Sequence, residues 1–435
     1  MINVLYGDML EILPTLEENS FDSCVTDPPY HLQSIVKRFG KKDSAPSQFG
    51  TDGVFQRSSK GFMGKEWDGG DIAFRPETWA EVYRVLKPGA FLVAFSGTRT
   101  YHRIACAIED AGFDVRDQLA WVYGTGFPKS HDISKAIDKA AGAERETIRV
   151  DAKEVRNPKA TGAGRDGTEG ATRPWIEVAL KNGFHEKPGN EPITDAARQW
   201  RGFGTSLKPA WEPIVLARKP LEEKTVAAQV LTTGTGALNI DACRIPTSDD
   251  LGEQPASRGP NRILGKLDYN ASDTWRQHES GRWPANLCHD GSDEVLAEFA
   301  KYGERKSGNG KPQFTKGIGG KGKVLGGSER SGAMVNTFSD SGTAARFFYS
   351  AKANAKDRAG SKHPTVKPVS LMEWLCTLVT QPGGSILDPF AGSGTTGIAC
   401  KNLGFNCTLI EREKEYIMDI YKRFEEQQEK EREYA

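Results

Sequence analysis

Cysteine is sparse: seven in 435 residues, at positions 24, 106, 243, 288, 376, 400 and 407, with no two spaced as Cys-x-x-Cys. That argues against a disulfide framework and a structural zinc ribbon, and no metal site is expected. Long apolar runs are missing as well. Stretches such as Phe91-Leu-Val-Ala-Phe95 fall far short of the roughly 18 residues a membrane span needs, so no membrane partner is expected. The first residues, Met1-Ile-Asn-Val-Leu-Tyr-Gly-Asp8, carry neither a basic region nor a long apolar run. No secretory signal is read there, and the expected location is cytoplasmic. Net charge is absent too, with 58 Lys+Arg against 58 Asp+Glu. Hydrophobic residues at 37% and charged residues at 27% suit a globular protein somewhat on the polar side. The length fits two or three domains, or one catalytic domain with a large insertion.

The neutral total hides a local imbalance. From Lys301 to Ser370 there are 14 Lys/Arg and four acids, so this stretch is +10 and the remainder −10. A basic segment inside a neutral chain is the pattern of a polyanion-binding surface, although a solvated loop kept soluble by its lysines has the same charge.

The first 123 residues read as alternating strands and helices. Ile2 to Tyr6, Phe21 to Thr26, Phe91 to Phe95 and Val115 to Val122 are strand-like, while Glu77 to Leu86 and Arg99 to Ala111 have helical spacing. Lys87-Pro88-Gly89 is read as a breaker. Such alternation implies a mostly parallel sheet covered on both faces. Periodicity fades between Gly124 and Lys208, apart from a helical piece at Ile133 to Ala141, and Ala210 to Ala217 looks like one more strand. From Lys219 to Lys362 the pattern is irregular, with ten glycines between Tyr302 and Gly332. Order returns at His363. Leu371, Trp374, Leu375, Leu378 and Val379 form a helix face, followed by strand Ser385 to Leu387, helix Thr395 to Leu403, strand Phe405 to Ile410 and a last helix with a core face at Ile417, Ile420, Tyr421 and Phe424.

Two motifs carry chemistry. Asp388-Pro-Phe390-Ala-Gly392-Ser393-Gly394-Thr395-Thr-Gly397 sets a Gly-x-Gly-x-x-Gly loop between a strand and a helix. The glycines permit a tight turn and close ligand approach, and Glu411, at the end of the next strand, is placed to accept from ribose hydroxyls. This suits a nucleoside-bearing cofactor and does not by itself separate NAD from S-adenosylmethionine. Only one further strand and helix follow the loop. The missing strands must therefore come from the N-terminal part, which makes the sheet circularly permuted. The second motif, Thr26-Asp27-Pro28-Pro29-Tyr30, follows a strand. Its prolines stiffen the turn and present carbonyls, Asp27 adds a carboxylate and Tyr30 an aromatic face. Two acceptors beside a π-surface are what an exocyclic amine on a flat heterocycle requires.

Val25-Thr-Asp-Pro-Pro-Tyr30 together with Leu387-Asp-Pro-Phe-Ala-Gly-Ser-Gly-Thr-Thr396 resembles the DNA amino-methyltransferases that make N6-methyladenine or N4-methylcytosine, in the permuted order of their β class. Gly7-Asp8 resembles the element whose acid meets the cofactor's adenine, and His363-Pro-Thr365-Val-Lys367-Pro368 the element that wraps its methionine end. Arg84-Val-Leu-Lys-Pro-Gly89 before a strand is also typical.

The resemblance implies a circularly permuted, Rossmann-like α/β fold with a large irregular insertion, S-adenosylmethionine as cofactor, and double-stranded DNA as substrate. It admits a homodimer and a cognate endonuclease as partners. The implied division is 1–123 for the catalytic half, 124–207 for an insertion, 208–220 for a sheet strand, 221–362 for basic target recognition and 363–435 for the cofactor half. The implied reaction is direct in-line methyl transfer to a flipped-out base, with Asp27 and the Pro28 carbonyl accepting the amine hydrogens and Tyr30 stacking on the base. Cys24 is read as core. Trp67, in a glycine-flanked loop, is read as a base or DNA contact, and Arg346 to Tyr349 and Lys352 to Arg358 as lining a DNA cleft, with Phe347 and Phe348 in the core. Asp at the first position of the turn favours N6-adenine over N4-cytosine. An RNA or protein-glutamine methyltransferase and a non-catalytic DNA-binding module are the other readings weighed.

Overall fold

The computed structural model describes residues 1–30, 71–124, 126, 130–151, 181–247, 253–255, 274–276, 281–303, 305–307, 340–351, 357 and 366–434. Nine strands build the main sheet: β1 (Ile2–Tyr6), β2 (Phe21–Thr26), β3 (Leu86–Phe95), β4 (Asp114–Val122), β5 (Trp211–Arg218), β6 (Leu287–His289), β7 (Tyr349–Ser350), β8 (Ser385–Asp388) and β9 (Asn406–Glu411). Their order is β1-β9-β8-β2-β3-β5-β4-β6-β7. Every neighbouring pair is parallel except the two made by β5. The last two strands in sequence thus stand between the first two, which is the permuted sheet expected from the glycine loop's late position.

Helices cover both faces, as a sheet with apolar runs on both sides demands. Along β2 and β3 alternate residues point opposite ways. Val25, Phe91 and Val93 pack with Leu371, Leu375 and Val379 of helix Val369–Val379 and with Ala399 of helix Thr395–Leu403. Cys24, Leu92 and Ala94 pack on the other face with Trp79 and Val82 of helix Pro76–Val85 and Ile104 and Ile108 of helix Tyr101–Asp110. Cys24 is fully buried and its thiol is pushed well up, by burial first and by the Asp388 carboxylate second, so it is a core residue and not a nucleophile.

Four details depart from the sequence reading. Helix Pro76–Val85 stops just before Lys87-Pro88-Gly89, as expected, but the strand expected from Phe91 already begins at Leu86, so the breaker lies inside β3. The register against β2 jumps from Phe21↔Leu86 to Ser23↔Phe91, so the extra residues bulge out, with Gly89 at φ +81°. Second, β6 and β7 come from the irregular stretch and extend the sheet beyond β4, through Cys288↔Trp121 and Cys288↔Tyr349. Strands of three and two residues are too short to show a period. Third, helix Lys414–Tyr434 buries Tyr416, Ile417, Ile420 and Arg423, while Tyr421 is 48% exposed. Fourth, Phe347 is not core: it is 38% exposed, with the Arg282 and Arg346 guanidiniums over its ring at 5.0 and 4.3 Å.

No helix among the described residues is long and apolar enough to cross a membrane.

Candidate active site

Parallel strands deliver their carboxyl ends to one sheet edge, where loops gather functional groups. β2 ends there at Thr26, β8 at Asp388, β9 at Glu411 and β1 at Tyr6. Antiparallel β5 brings its beginning, Trp211 and Glu212, to the same edge, with Glu212 opposite Trp121.

The two motifs meet at the sheet centre. β8 pairs with β2 through Ile386↔Ser23 and Leu387↔Cys24. At the edge, the Thr26 hydroxyl donates to Asp388 Oδ1 at 2.6 Å across 362 residues of sequence. The Phe390 N–H donates to the same oxygen at 3.1 Å, and the Thr396 hydroxyl to Oδ2 at 2.6 Å. Asp388 is thereby almost sealed, at 2% exposure. Burial lifts its carboxyl to about 6, against the pull of these three donors and with a further push from Asp27. Both Asp388 oxygens are engaged by protein groups, so the residue fastens the glycine loop to the strand that carries Asp27.

The loop turns through left-handed Gly392 (φ +53°) and Gly394 (φ +76°) into helix Thr395–Leu403. A Cβ on Gly394 would stand 2.9 Å from Ile420 Cγ1, so helix Lys414–Tyr434 packs directly under the turn. From that helix, buried Arg423 donates through Nη1 to the Ser393 carbonyl (2.6 Å), the Ser393 hydroxyl (3.0 Å) and Thr395 Oγ1 (3.0 Å). Its Nη2 donates to the Asp357 carbonyl at 2.6 Å, and burial lowers the guanidinium to about 10. Ser393 and Thr395 are thus held from below by a cation.

Glu411, at 8% exposure, accepts from Gly392 N–H at 2.7 Å through Oε2 and from Glu413 N–H at 2.8 Å through Oε1. Burial raises it to about 7, with those two N–H groups restraining the rise. A carboxylate has about four lone-pair sites, so each oxygen keeps one to offer. Asp8 Oδ1 caps the helical turn Met9–Ile12 through Leu10 N–H at 2.9 Å, and its Oδ2 lies 4.0 Å from Arg412. Phe390 is half-buried, its ring 6.4 Å from that of Trp79.

Pro28 and Pro29 are buried, and the turn they stiffen presents Asp27 and Tyr30 to a charged cluster. The Tyr30 hydroxyl donates to Asp27 Oδ1 at 2.7 Å and lies 3.2 Å from Glu212 Oε2. The Lys367 ammonium donates to Asp27 Oδ2 at 2.7 Å, to the Tyr30 oxygen at 3.1 Å and to Glu212 Oε2 at 3.1 Å. It also sits 4.8 Å above the Phe95 ring. Burial works against the charge on Lys367, yet Asp27 and Glu212 hold the ammonium above its ordinary range. Burial and the same two carboxylates push the Tyr30 phenol well up. Asp27 therefore stays beside a permanent cation and a neutral phenol.

The motif reading placed Lys367 at the cofactor's methionine end, whereas its ammonium is bound to Asp27. Glu212 went unnoticed because Trp-Glu-Pro-Ile-Val-Leu reads simply as a strand with a polar start. Arg423 went unnoticed because a charged residue in a Glu- and Lys-rich helix reads as solvated. His363, Thr365 and Trp67 lie outside the described residues.

A family model described as DNA methylase matches residues 21–422. Two relatives match over shorter lengths. Type II methyltransferase M2.DpnII of Streptococcus pneumoniae is 45% identical over 73 residues, 17% of this chain and 27% of that protein. Type II methyltransferase M2.LlaDCHI of Lactococcus lactis subsp. cremoris is 43% identical over 67 residues, 15% of this chain and 25% of that protein. The chain thus spans about a quarter of the length of these curated relatives. Among solved structures, the M1.HpyAVI–SAM complex aligns at TM-score 0.37 and 16% identity, covering 98% of this chain and 99% of that one. The cytosine-N4-specific PvuII DNA methyltransferase aligns at 0.42 and 13%, covering 97% and 86%. With the family model running through both motifs and the sheet that joins them, the chain belongs to the DNA methylase family.

Proposed function

We propose that the protein transfers a methyl group from S-adenosylmethionine to the exocyclic N6 of adenine in double-stranded DNA. The observation that carries this reading is the 2.6 Å Thr26–Asp388 hydrogen bond, which puts the amine-accepting turn and the nucleoside-binding loop at one edge. The cofactor supplies an electrophilic methyl group on sulfur. The residues present fit it: Glu411 has lone pairs left for ribose hydroxyls, and the left-handed turn at Gly392 and Gly394 leads into a helix N-terminus. We assign Asp8, Phe390, Gly392, Ser393, Gly394, Thr395 and Glu411 to its binding, with His363 and Thr365 at its methionine end. Asp388 and Lys367 act from behind, the first on the loop and the second on Asp27.

The amine of a nucleobase is a poor nucleophile because its lone pair is delocalised into the ring. Asp27 and the Pro28 carbonyl accept its two hydrogens, which favours pyramidalisation and directs the lone pair, so catalysis is positioning and electrostatics. The base must leave the duplex to reach Asp27, and Tyr30 stacks on it. Asp27 at the first position of the turn supports adenine over cytosine N4. We assign residues 1–123, 208–220 and 363–435 to the methyltransferase part, 124–207 to an insertion and 221–362 to target recognition, the last also lending β6 and β7 to the sheet. The test is expression in a methylation-deficient host, then nucleoside mass spectrometry and modification-aware long-read sequencing. N6-methyladenine at a fixed motif, lost in Asp27→Ala with the fold intact, is expected. N4-methylcytosine would overturn the choice of base, and a mark retained in Asp27→Ala would overturn the role of Asp27.

A further inference from the structure

We propose that Glu212 is a positioning residue of the methyl-transfer site, fixing Lys367 and through it the carboxylate plane of Asp27. The inference rests on the function proposed above. An ammonium has three N–H donors. Among the described residues Lys367 has three oxygen acceptors: Asp27 Oδ2 at 2.7 Å, Tyr30 Oη at 3.1 Å and Glu212 Oε2 at 3.1 Å. The side chain is only 7% exposed, so an N–H released from any of these acceptors has little water to turn to. The direction of the ammonium is therefore fixed by three partners of unequal rigidity. Asp27 and Tyr30 belong to the turn that receives the substrate, and Lys367 precedes helix Val369–Val379. Glu212 alone stands on a central strand, paired with Trp121 on one side and followed by Pro213, whose carbonyl accepts from Ser96 N–H at 2.9 Å. It is the stationary partner.

With Lys367 so held, Asp27 is gripped at both oxygens, by the ammonium on Oδ2 and the Tyr30 hydroxyl on Oδ1. Its carboxylate cannot rotate, and its remaining lone pairs keep one aim. Glu212 acts through Lys367: the Tyr30 hydroxyl, 3.2 Å from Glu212 Oε2, has one hydrogen and gives it to Asp27 Oδ1 at 2.7 Å, so removing Glu212 should matter only while Lys367 is present.

Single-turnover methylation of unmethylated bacterial genomic DNA, with a radiolabelled methyl donor, tests this in the 435-residue chain. Glu212→Gln is expected to lower the rate about tenfold while cofactor affinity, measured by calorimetry, stays within about twofold, because the loss is one of orientation. Glu212→Asp, which restores the charge at shorter reach, is expected to recover part of that loss. The decisive comparison is the double variant Glu212→Gln/Lys367→Gln, expected to be no slower than Lys367→Gln alone. A Glu212→Gln rate equal to wild type, an Asp variant no better than Gln, or a double variant slower by the full additional factor overturns the inference. If wild-type protein transfers no methyl group, the functional reading falls and takes this inference with it. Wild-type transfer with unimpaired variants overturns the inference alone.

Discussion

Replacing Glu411 by Gln should make the cofactor-free protein gain in stability relative to wild type as the pH rises from acid to alkaline. Glu411 is buried at the sheet edge, where burial raises its carboxyl from 4.5 to about 7. An acid that ionises later in the folded than in the unfolded chain contributes fully to stability below 4.5 and loses that contribution as pH rises through 7. The gap between the two values corresponds to about 3 kcal/mol. Roughly 2.5 kcal/mol of this is lost between pH 5 and 8, the remainder going below pH 5, where the unfolded carboxyl is already ionising. Gln keeps an oxygen for the Gly392 N–H or the Glu413 N–H but has no charge to bury. Urea unfolding of both proteins at pH 5 and pH 8 isolates the effect, because the other titrating groups cancel to first order. The stability of the Gln variant relative to wild type should rise by about 2.5 kcal/mol over that interval. A constant difference, or one that moves against the Gln variant as the pH rises, would refute the electrostatic reading of this edge. If ribose hydroxyls donate to Glu411, the bound cofactor favours its ionised form, so wild-type affinity should tighten from pH 6 to 8 while the Gln variant's stays flat.

Three further outcomes follow from the geometry. Thr26→Val removes a hydrogen bond to a buried carboxylate and should cost about 1.5–3 kcal/mol in denaturant unfolding at pH 8, with most methylation lost. Gly394→Ala forces a side chain into φ +76° and against Ile420, and should lower stability by about 2 kcal/mol; an equal stability would show that the turn relaxes freely. Arg423→Leu leaves the Ser393 carbonyl without its 2.6 Å donor, and a roughly tenfold weaker cofactor affinity by calorimetry is expected.

The motif residues were legible in the sequence because their chemistry is local. Two prolines, an acid and an aromatic in a row declare a rigid acceptor turn wherever they stand, and glycines two and three apart between a strand and a helix declare a backbone that must come close to something. The permutation was legible in the order of the two motifs, the acceptor turn at 26–30 and the glycine loop at 388–397. What pairs across the chain was not legible. Glu212 gains its meaning only when β5 runs antiparallel and brings its first residues to the edge where its neighbours bring their last. Arg423 is one charged residue among many in its helix, and only the fold shows that its turn lies under the glycine loop. Lys367 sits in a motif that announces a ligand, yet a lysine reaches several ångströms in any direction, and spacing alone does not say which carboxylate it finds. Lys87-Pro88-Gly89 does mark the end of helix Pro76–Val85, as local rules read it, but those rules do not show that the next strand starts at Leu86 and carries the tripeptide as a bulge held by its neighbours.

The strand order has a consequence for biogenesis. As the polypeptide leaves the ribosome, β1 and β2 emerge hundreds of residues before β8 and β9, which must lie between them. Until β8 and β9 have emerged, two early strands have an open side with apolar residues on both faces. Contacts of such sequence separation form slowly, so this chain should lean on holding chaperones while it is made. Chains truncated before residue 385 should be recovered as aggregates rather than as a smaller folded core.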